Sequence, residues 1–359
     1  MTDDLTLIVP THNRSRFLRR LLHFLEERRF DADMLIVDSS DPADAAINTT
    51  LIHSYSSRLN IQYQHRDCGF AQKCGDAVAS VSTPFAVFCA DDDFLMPESV
   101  RSCVDYLQLN QDYSCASGIW VQVEAHRNNR CSQIRCDQIK ESSATRRFQR
   151  LAGNWFSNFY SVYRIEPLRR AWQVAGGASE YEDARIFLEL MLCHLGAIYG
   201  KTAVLPETHY LFELHGQNES SQLPLIANGD RANELYDRFE NALARELAAI
   251  DGVPIEHAAH TVRSCYAHWR TGAAMRRDYR PTGIAKYRRK LQQSIAKIRD
   301  GISNHPTKVW TKRRLRENHR YFQTEAWRSA IDLTARFPDG MSAEQLAAES
   351  PASSLKAVA

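Results

Sequence analysis

The first ninety residues alternate short apolar runs with segments of helical periodicity, and this alternation restricts the possible folds more than any other feature. The runs at 5–11 (LTLIVPT) and 33–38 (DMLIVD) are rich in β-branched residues and have the length of buried strands. Between them, apolar residues recur at helical spacing, namely Phe17, Leu18, Leu21, Leu22 and Leu25. Strands that alternate with helices predict a mostly parallel, doubly wound α/β sheet, in which ligands bind outside the carboxyl ends of the strands.

The alternation continues to residue 93 and then becomes mixed. We expect, in order, a helix over 45–59, a strand over 61–67, a helix over 69–82 and a strand over 84–93. The later segments predict a helix over 99–110, a strand or hairpin over 113–125, aromatic strands over 153–165, a helix over 179–196 and a pair of strands over 196–216.

The last third of the chain predicts a separate helical region. One apolar stripe is formed by Leu235, Phe239, Leu243, Leu247 and Ile250. We therefore divide the chain into an α/β domain over 1–222, a helical and basic extension over 223–345, and a weakly ordered tail over 346–359.

The composition excludes several classes of protein. Hydrophobic residues make up 44% of the chain and charged residues 25%, which is ordinary for a globular protein. No apolar run approaches the roughly 20 residues that span a bilayer. The start of the chain lacks the pattern of a secretory signal, and the nine cysteines contain no C-x-x-C pair. We therefore expect a cytoplasmic protein with reduced thiols.

The net charge of +2 conceals a strongly basic segment. Residues 263–320 contain 17 Lys or Arg and three acids, so the remainder of the chain is acidic. Within 284–320 the pattern predicts a basic amphipathic helix, which could lie on an anionic membrane surface at the inner face of the cell membrane. A solvated basic face or a dimer contact remains an equal alternative. Nucleic-acid binding is disfavoured, because no recognition module is visible.

Three adjacent aspartates, Asp91, Asp92 and Asp93, end the predicted strand at 84–93. Their mutual repulsion requires compensation, and carboxylate oxygens are ligands that Mg²⁺ or Mn²⁺ prefers, commonly together with substrate phosphates. A solvated loop is the alternative. The position at the ligand-binding edge of the sheet favours a metal site.

Two further residues near this edge suggest a nucleotide. Asp38, after the second strand, could bind a ribose or base, or form a turn with the serines that follow it. Lys73 could contact a phosphate or be a solvated helix residue. There is neither a G-x-G-x-x-G motif after the first strand nor a P-loop, so a cation would have to neutralise the phosphates.

The order of the segments LIVPTHNR, LIVDSSD, FCADDDFLMP and EYEDARIFLELML resembles the motif order of family-two glycosyltransferases of the GT-A fold, as found in bacterial polysaccharide synthesis. The resemblance covers residues 5–215 and rests on order and spacing. Counting back from Pro97 places Ala90 where many members have the first Asp of their metal motif. The chain therefore matches the shorter D-D form, with Asp92 as the principal metal ligand.

The resemblance implies a role for each motif. Asp183, with Glu182 beside it, would be the catalytic base that activates an acceptor hydroxyl. Asp92 and Asp93 would bind the metal, and His215 would lie near the metal or the diphosphate. The residues implied to hold the donor are Pro10, Thr11, His12, Arg14, Asp38 and Asp91, with Lys73 as a further phosphate contact. Trp155 and Tyr160 could stack on the acceptor sugar, although an aromatic run is more often part of a core.

These expectations together describe a metal-dependent, inverting glycosyltransferase. It would move a sugar from a nucleotide-diphosphate donor, with a UDP-sugar favoured, to a hydroxyl of a glycan or lipid-linked acceptor. The alternatives are a nucleotidyltransferase of the same fold, which would release pyrophosphate, and a catalytically silent scaffold.

Overall fold

The computed structural model describes residues 4–124, 130–134, 136–176, 182, 185–215, 218, 230–278 and 324–349. Within them, one nine-stranded sheet is covered by helices on both faces. The strands are β1 Leu5–Thr11, β2 Asp33–Asp38, β3 Ile61–His65, β4 Phe85–Phe88, β5 Phe94–Leu95, β6 Tyr113–Glu124, β7 Arg130–Ile134, β8 Val162–Arg164 and β9 Lys201–Glu213.

The described helices of the first domain are α1 Ser15–Glu27, α2 Pro42–Tyr55, α3 Phe70–Ser80, α4 Pro97–Leu109, α5 Ala144–Gly153, α6 Ile165–Ala175 and α7 Arg185–Tyr199. Five of these seven helices overlap the predicted helical segments, whereas α5 and α6 were not predicted from the sequence. The C-terminal helices are α8 Asp230–Asp251, α9 Ile255–Asp278, α10 Glu325–Arg336 and α11 Ala343–Glu349. Among the residues described, no helix is long and apolar enough to cross a membrane.

The strand order is β3-β2-β1-β4-β8-β6-β9-β5, with β7 paired to β6. The first four strands are parallel, and in their register Thr11 lies opposite Asp38 and Ile8 opposite Phe88. The carboxyl ends of β1, β2 and β4 therefore meet at one edge. The second half is mixed, because β8 is antiparallel to β4 and β6 while β9 is parallel to β6. The predicted α/β fold of the GT-A type is confirmed.

Two strand predictions are wrong. The predicted pair of strands over 196–216 is instead the single strand β9. This strand runs without a turn along β6, and the register between the two strands shifts on either side of Ile119. The aromatic segment 153–165 contributes only the three-residue strand β8. Its rings instead pack into the core, where Phe159 stacks on Phe88. In both cases the tertiary contacts override the local pattern.

Alternation along β1 separates two hydrophobic cores. Leu5, Leu7 and Val9 face α1, α2 and α4, whereas Ile8 faces α3, α6 and α7 on the other side. This period of two is what a strand buried on both faces requires.

The C-terminal extension is divided between the two cores. Helices α8 and α9 pack on α5 and α7, and Leu235, Phe239, Leu243 and Leu247 of the predicted stripe are buried there, whereas Ile250 is 40% exposed. Helix α10 instead packs on α1 in the opposite core. Residues 343–349 form α11, so the tail predicted from residue 346 begins inside a helix. The boundary near 222 and the basic segment 284–320 lie outside the described residues.

We call residues 324–341 the C-terminal clasp, because they join the end of the described chain to α1. Its buried apolar residues are Ala326, Trp327, Ala330, Leu333, Phe337 and Met341. The backbone amide of Met341 donates to the carbonyl of Arg16 at 2.8 Å. Gly340 has a φ of +79°, and a Cβ atom there would lie 2.7 Å from the carbonyl carbon of Arg16. The clasp thus requires glycine at its closest approach to α1.

We expect Gly340→Ala to lower the free energy of unfolding more than Gly252→Ala, a matched control. Both glycines have positive φ, at +79° and +65°, but no atom lies within 4 Å of a Cβ built at Gly252. The left-handed conformation costs roughly 1–2 kcal/mol at either position. At Gly340, steric overlap of the added methyl group with Arg16 increases the loss of unfolding free energy by about 1–3 kcal/mol more. Denaturant unfolding of the two variants measures the difference, and equal losses would contradict the packing of the clasp on α1.

Candidate active site

A cavity of about 360 Å³ opens at the carboxyl ends of β1 and β4. Its walls come from the turn after β1, the start of α3, the turn after β4 and the first residue of α7. The predicted site residues that line it are Pro10, Thr11, His12, Arg14, Lys73, Asp91, Asp92, Asp93 and Tyr160. Residues from distant parts of the sequence are therefore brought together where the parallel strands predict a ligand.

The turn between β1 and α1 brings a cation to the aspartates. Asn13 adopts a φ of +53°, which asparagine tolerates better than most residues. Its backbone amide donates to the Ser40 hydroxyl at 2.7 Å, and its side-chain amide donates to Asp41 at 3.0 Å. The chain therefore reverses sharply after β1. As a result, Arg14 Nη1 lies 2.7 Å from Asp92 Oδ2 and 3.3 Å from Asp91 Oδ1.

The carboxylate of Asp91 faces the end of β1. It accepts a 2.7 Å hydrogen bond from the Thr11 hydroxyl and is 3% exposed. Burial, together with the charge of Asp92, raises the pKa of Asp91 to about 7, although Arg14 and Thr11 act against this rise. A second cation near Asp91 would favour its ionised form.

Asp92 and His215 form a pair across the turn. The Nε2 atom of His215 lies 3.0 Å from Asp92 Oδ2, and the imidazole stacks on Phe17 with 4.9 Å between ring centroids. Burial raises the pKa of Asp92, but the hydrogen bond from His215 and the charge of Arg14 outweigh it, so the pKa lies below its usual value. The backbone amide of His215 donates to the side-chain oxygen of Asn218 at 2.6 Å.

Asp93 is held by the protein, which argues against its expected role as a metal ligand. One carboxylate oxygen accepts a 2.6 Å hydrogen bond from the Tyr210 hydroxyl, and the other accepts a 2.9 Å bond from the Glu213 amide. Burial, followed by the charge of Asp92, raises the pKa of Asp93 well above its usual value. We therefore assign Asp93 a structural role. Its carboxylate connects residues 91–93, which we call the aspartate turn, to β9.

Lys73 is a buried cation at the floor of the cavity and not a solvated helix residue. Its Nζ atom donates to the carbonyl of Thr11 at 2.6 Å and to the hydroxyl of Ser39 at 2.9 Å. Burial lowers the pKa of its ammonium group. His12 lies beside it, with Nδ1 2.8 Å from the Ser39 carbonyl. A phosphate in the cavity would supply the negative charge that Lys73 lacks among its hydrogen-bond partners.

Asp38 is not among the residues that line the cavity. It is 1% exposed, and its carboxylate accepts hydrogen bonds from the Ser40 amide, Asn48 and Tyr63 at 2.7–2.8 Å. Burial raises the pKa of Asp38, but these hydrogen bonds lower it by more. Asp38 therefore fixes the end of β2, which in turn positions Ser39.

The acidic pair before α7 is only partly described, because Asp183 lies outside the described residues. Glu182 accepts hydrogen bonds from the backbone amides of Phe70 and Ala71, at 3.0 and 2.6 Å, and its carboxylate also lies 3.5 Å from Arg185. Glu182 thus caps the N-terminus of α3. This structural role argues against Glu182 as a second catalytic carboxylate beside Asp183. A Cβ atom on Gly69 would lie 2.3 Å from Glu182, so this contact needs glycine.

The two aromatic acceptor candidates lie in different places. Tyr160 lines the cavity and stacks on Tyr210, with 4.4 Å between centroids and 11° between ring planes. Trp155 instead stacks on the buried His194, at 5.4 Å, within the core that α5, α7 and α9 share. An acceptor role is therefore withdrawn for Trp155 and kept for Tyr160.

Sequence reasoning missed two arginines. Arg185 lines the cavity, and its guanidinium lies 5.0 Å from the centre of the Phe70 ring. The sequence did contain one signal for Arg185, because its spacing of three residues from Glu182 allows an ion pair between the two side chains. Arg20, on α1, contacts the main chain of Asp92 at 2.8 Å. No local pattern distinguishes it from the other arginines of that helix.

The residues around Asp92 suit a divalent cation that arrives with a phosphate ligand. Across the described part of the chain, no group of three or more His, Cys, Asp or Glu side chains is arranged to hold a metal alone. Asp91 and Asp92 nevertheless offer two carboxylates to the cavity, and the imidazole of His215 lies 3.0 Å from Asp92. One or two carboxylates completed by substrate phosphates are a common arrangement for Mg²⁺.

Comparison with known proteins gives the class of the domain. Residues 6–172 match the family model described as glycosyl transferase family 2. This part of the chain therefore resembles a family 2 glycosyltransferase domain, a class of enzyme that uses nucleotide-sugar donors. No sequence among curated proteins matches the chain.

Several solved structures are similar in fold. The structure of S. aureus TarS 1-349 in complex with UDP-GlcNAc has 14% sequence identity and a TM-score of 0.48, and the match covers 76% of this chain and 74% of that one. For the UDP complex of the same protein the TM-score is 0.47, with 14% identity and coverage of 94% and 90%. A longer TarS structure is matched over only 55% of its length. The mannosyltransferase PcManGT from Pyrobaculum calidifontis, in complex with GDP-Man and Mn²⁺, has 12% identity, a TM-score of 0.40, and coverage of 94% and 88%.

Proposed function

We propose that this protein is a metal-assisted, inverting glycosyltransferase that moves a sugar from a nucleotide-diphosphate donor to a hydroxyl of a glycan or lipid-linked acceptor. The observation that carries this proposal is the meeting of Asp91, Asp92 and Lys73 in one cavity at the carboxyl ends of parallel strands. Carboxylates that attract a cation and a lysine that attracts a phosphate are the two requirements of a metal-bound diphosphate.

The donor would lie along the turn after β1. Pro10, Thr11 and His12 form the wall against which a nucleoside would pack, while Lys73 faces its phosphates. Asp92, assisted by Asp91 and His215, would hold Mn²⁺ or Mg²⁺. The metal, when bound, neutralises the charge that develops on the departing diphosphate. Arg14 Nη1 lies 2.7 Å from Asp92 Oδ2. The guanidinium of Arg14 would therefore have to turn toward the phosphates for Asp92 to hold a metal.

The acceptor would enter from the side of Tyr160 and Arg185. Its hydroxyl must lose a proton as it attacks the sugar, and Asp183 is the residue that we assign as base. Attack on the face opposite the leaving diphosphate inverts the anomeric centre. A lipid-linked acceptor would agree with the proposed contact of the basic segment 284–320 with the inner face of the cell membrane, as a peripheral protein.

An assay of products tests this function. The protein is incubated with Mn²⁺ and, in turn, UDP-, GDP- and CDP-linked sugars, and the released nucleoside diphosphate and the anomeric configuration of the product are measured. We expect release from one donor class, with UDP favoured, and an inverted product. Pyrophosphate release from a nucleoside triphosphate and a sugar-1-phosphate, without any release from the donors, would overturn the proposal in favour of a nucleotidyltransferase.

Replacing Lys73 should weaken donor binding. We expect Lys73→Met to raise the dissociation constant of the nucleoside diphosphate by about 10–100-fold, because a charge-assisted contact to phosphate contributes about 1.5–3 kcal/mol. Isothermal titration measures it, with Gln72→Met, an exposed neighbour on α3, as the control. Equal affinity in the two variants would remove Lys73 from the donor site.

A further inference from the structure

The guanidinium of Arg20 joins three distant segments of the chain. Its Nη1 donates to the carbonyl of Phe337 in the C-terminal clasp at 2.7 Å. Its Nη2 donates to the carbonyl of Asp92 at 2.8 Å and lies 2.6 Å from Glu213 Oε2 at the end of β9. The side chain is 1% exposed. One buried cation therefore touches the aspartate turn, the strand that leads to His215, and the clasp.

Two aromatic rings, one on α1 and one on β5, lie close to this guanidinium. Its central carbon lies 5.2 Å from the centre of the Phe17 ring and 5.0 Å from that of Phe94. Phe17 also stacks on His215, so the same ring contacts the partner of Asp92. The planar, five-donor group of arginine can donate in more than one direction while it packs against aromatic rings, which lysine does not match. The position of the Asp92 main chain is thus set by Arg20 and not by the turn alone.

The neighbouring Arg19 provides a natural contrast. It too is buried, and its Nη1 donates to the carbonyl of Met341 at 2.9 Å. Arg19 thus attaches the clasp to α1, whereas Arg20 attaches the clasp to α1 and also reaches the aspartate turn.

We propose that Arg20 is a positioning residue for the metal-binding aspartate, and that the C-terminal clasp is thereby part of the active centre. Arg20 holds the Asp92 carbonyl and the end of β9 in one fixed relation, so that the Asp92 carboxylate faces the cavity with His215 3.0 Å from it. This inference deepens the proposed function and rests on it for the role of Asp92. The link between the clasp and the turn stands independently of which substrate is used.

Two measurements on Arg20→Met, Arg20→Lys and the control Arg19→Met test this proposal. The first is hydrogen–deuterium exchange of the backbone amides over 89–95. We expect faster exchange there in both Arg20 variants and unchanged exchange in Arg19→Met, although the two Met variants both lower Tm. Unchanged exchange in the Arg20 variants, or the same increase in Arg19→Met, would overturn the link between clasp and turn.

The second measurement is Mn²⁺-dependent binding of a nucleoside diphosphate by calorimetry. Loss of a group that orients a metal ligand typically weakens metal binding by about 10–100-fold, and we expect this loss in Arg20→Met, little rescue in Arg20→Lys, and a change under about twofold in Arg19→Met. Equal affinities in all variants would overturn the positioning role. Absence of binding in the wild type would instead count against the proposed function, and the exchange result would still decide the link.

The double variant Arg20→Met, Glu213→Gln tests the proposal even if the single variant Arg20→Met fails to fold. It removes both members of the buried ion pair, which is less disruptive than leaving Glu213 as an uncompensated buried charge. We expect this variant to fold and to show the same faster exchange over 89–95. A double variant with wild-type exchange and affinity would overturn the proposal.

Discussion

Replacing Asp92 by asparagine is expected to lower kcat/KM by about 10²–10³-fold, the cost of removing one preorganised group that stabilises developing charge. The amide in Asp92→Asn would keep the size of the side chain and could still pair with His215, but it would lack the negative charge that attracts a metal. Steady-state kinetics over a range of Mn²⁺ concentrations measures the effect. We expect the metal concentration needed for half-maximal rate to rise together with the loss of rate.

Asp76→Asn is the matched control for this change. Asp76 is a partly exposed aspartate on α3 that pairs with Arg66 at 2.7 Å. It contributes to no contact of the aspartate turn that the structure describes, so the rate should change by less than about twofold, as for a surface ion pair. A variant at Asp92 with wild-type rate and metal dependence would contradict the assignment of Asp92 as the metal ligand.

Replacing Asp183 by asparagine is expected to lower kcat by about 10²–10⁴-fold, which is the usual contribution of a positioned general base. Nucleoside diphosphate affinity should stay within about twofold, because the proposed role of Asp183 concerns the acceptor hydroxyl and not the donor phosphates. Single-turnover kinetics with saturating donor separates the chemical step from binding.

Glu182→Gln distinguishes the two members of the acidic pair. Glu182 caps α3 through the amides of Phe70 and Ala71, so its replacement should lower the free energy of unfolding by about 0.5–2 kcal/mol and kcat by less than tenfold. If Glu182→Gln lost the larger part of kcat while Asp183→Asn retained it, the assignment of the base would pass to Glu182.

The sequence predicts the edge of the sheet where the site lies, because that edge follows from local patterns. The continuous apolar run of β1 and the helical spacing in α1 predict the crossover, and the position of Asp91 and Asp92 after β4 then follows from the parallel arrangement. Lys73 could also be proposed from its place on α3. The burial of Lys73, which excludes a solvated helix residue, is not revealed by a single sequence.

The roles of individual carboxylates could not be read from the sequence. Asp38, Asp93 and Glu182 have the same residue type and local setting as functional acids. In the structure, however, their oxygens accept hydrogen bonds from Tyr63, Tyr210 and the start of α3 respectively. These partners lie 25 to 117 residues away along the chain. Local spacing carries no information about such contacts.

Arg20 shows the same limit for a cation. It lies among Arg14, Arg16 and Arg19 on or beside one helix, and the pattern of α1 gives each a similar chance of facing solvent. Its burial depends on the C-terminal clasp, which begins more than 300 residues later. The sequence predicted a helical extension there but not that part of it returns to the first helix of the domain.

The central claim is that Asp92 holds a cation that binds together with a nucleoside diphosphate. The most direct test is calorimetric titration of UDP, GDP and CDP into the wild-type protein and Asp92→Asn, each with Mn²⁺ and with EDTA. The account predicts that one nucleotide, with UDP favoured, binds the wild-type protein in Mn²⁺ and loses its affinity in EDTA or in the variant. Absence of binding by all three nucleotides, or binding that ignores both EDTA and the loss of the Asp92 charge, would contradict it.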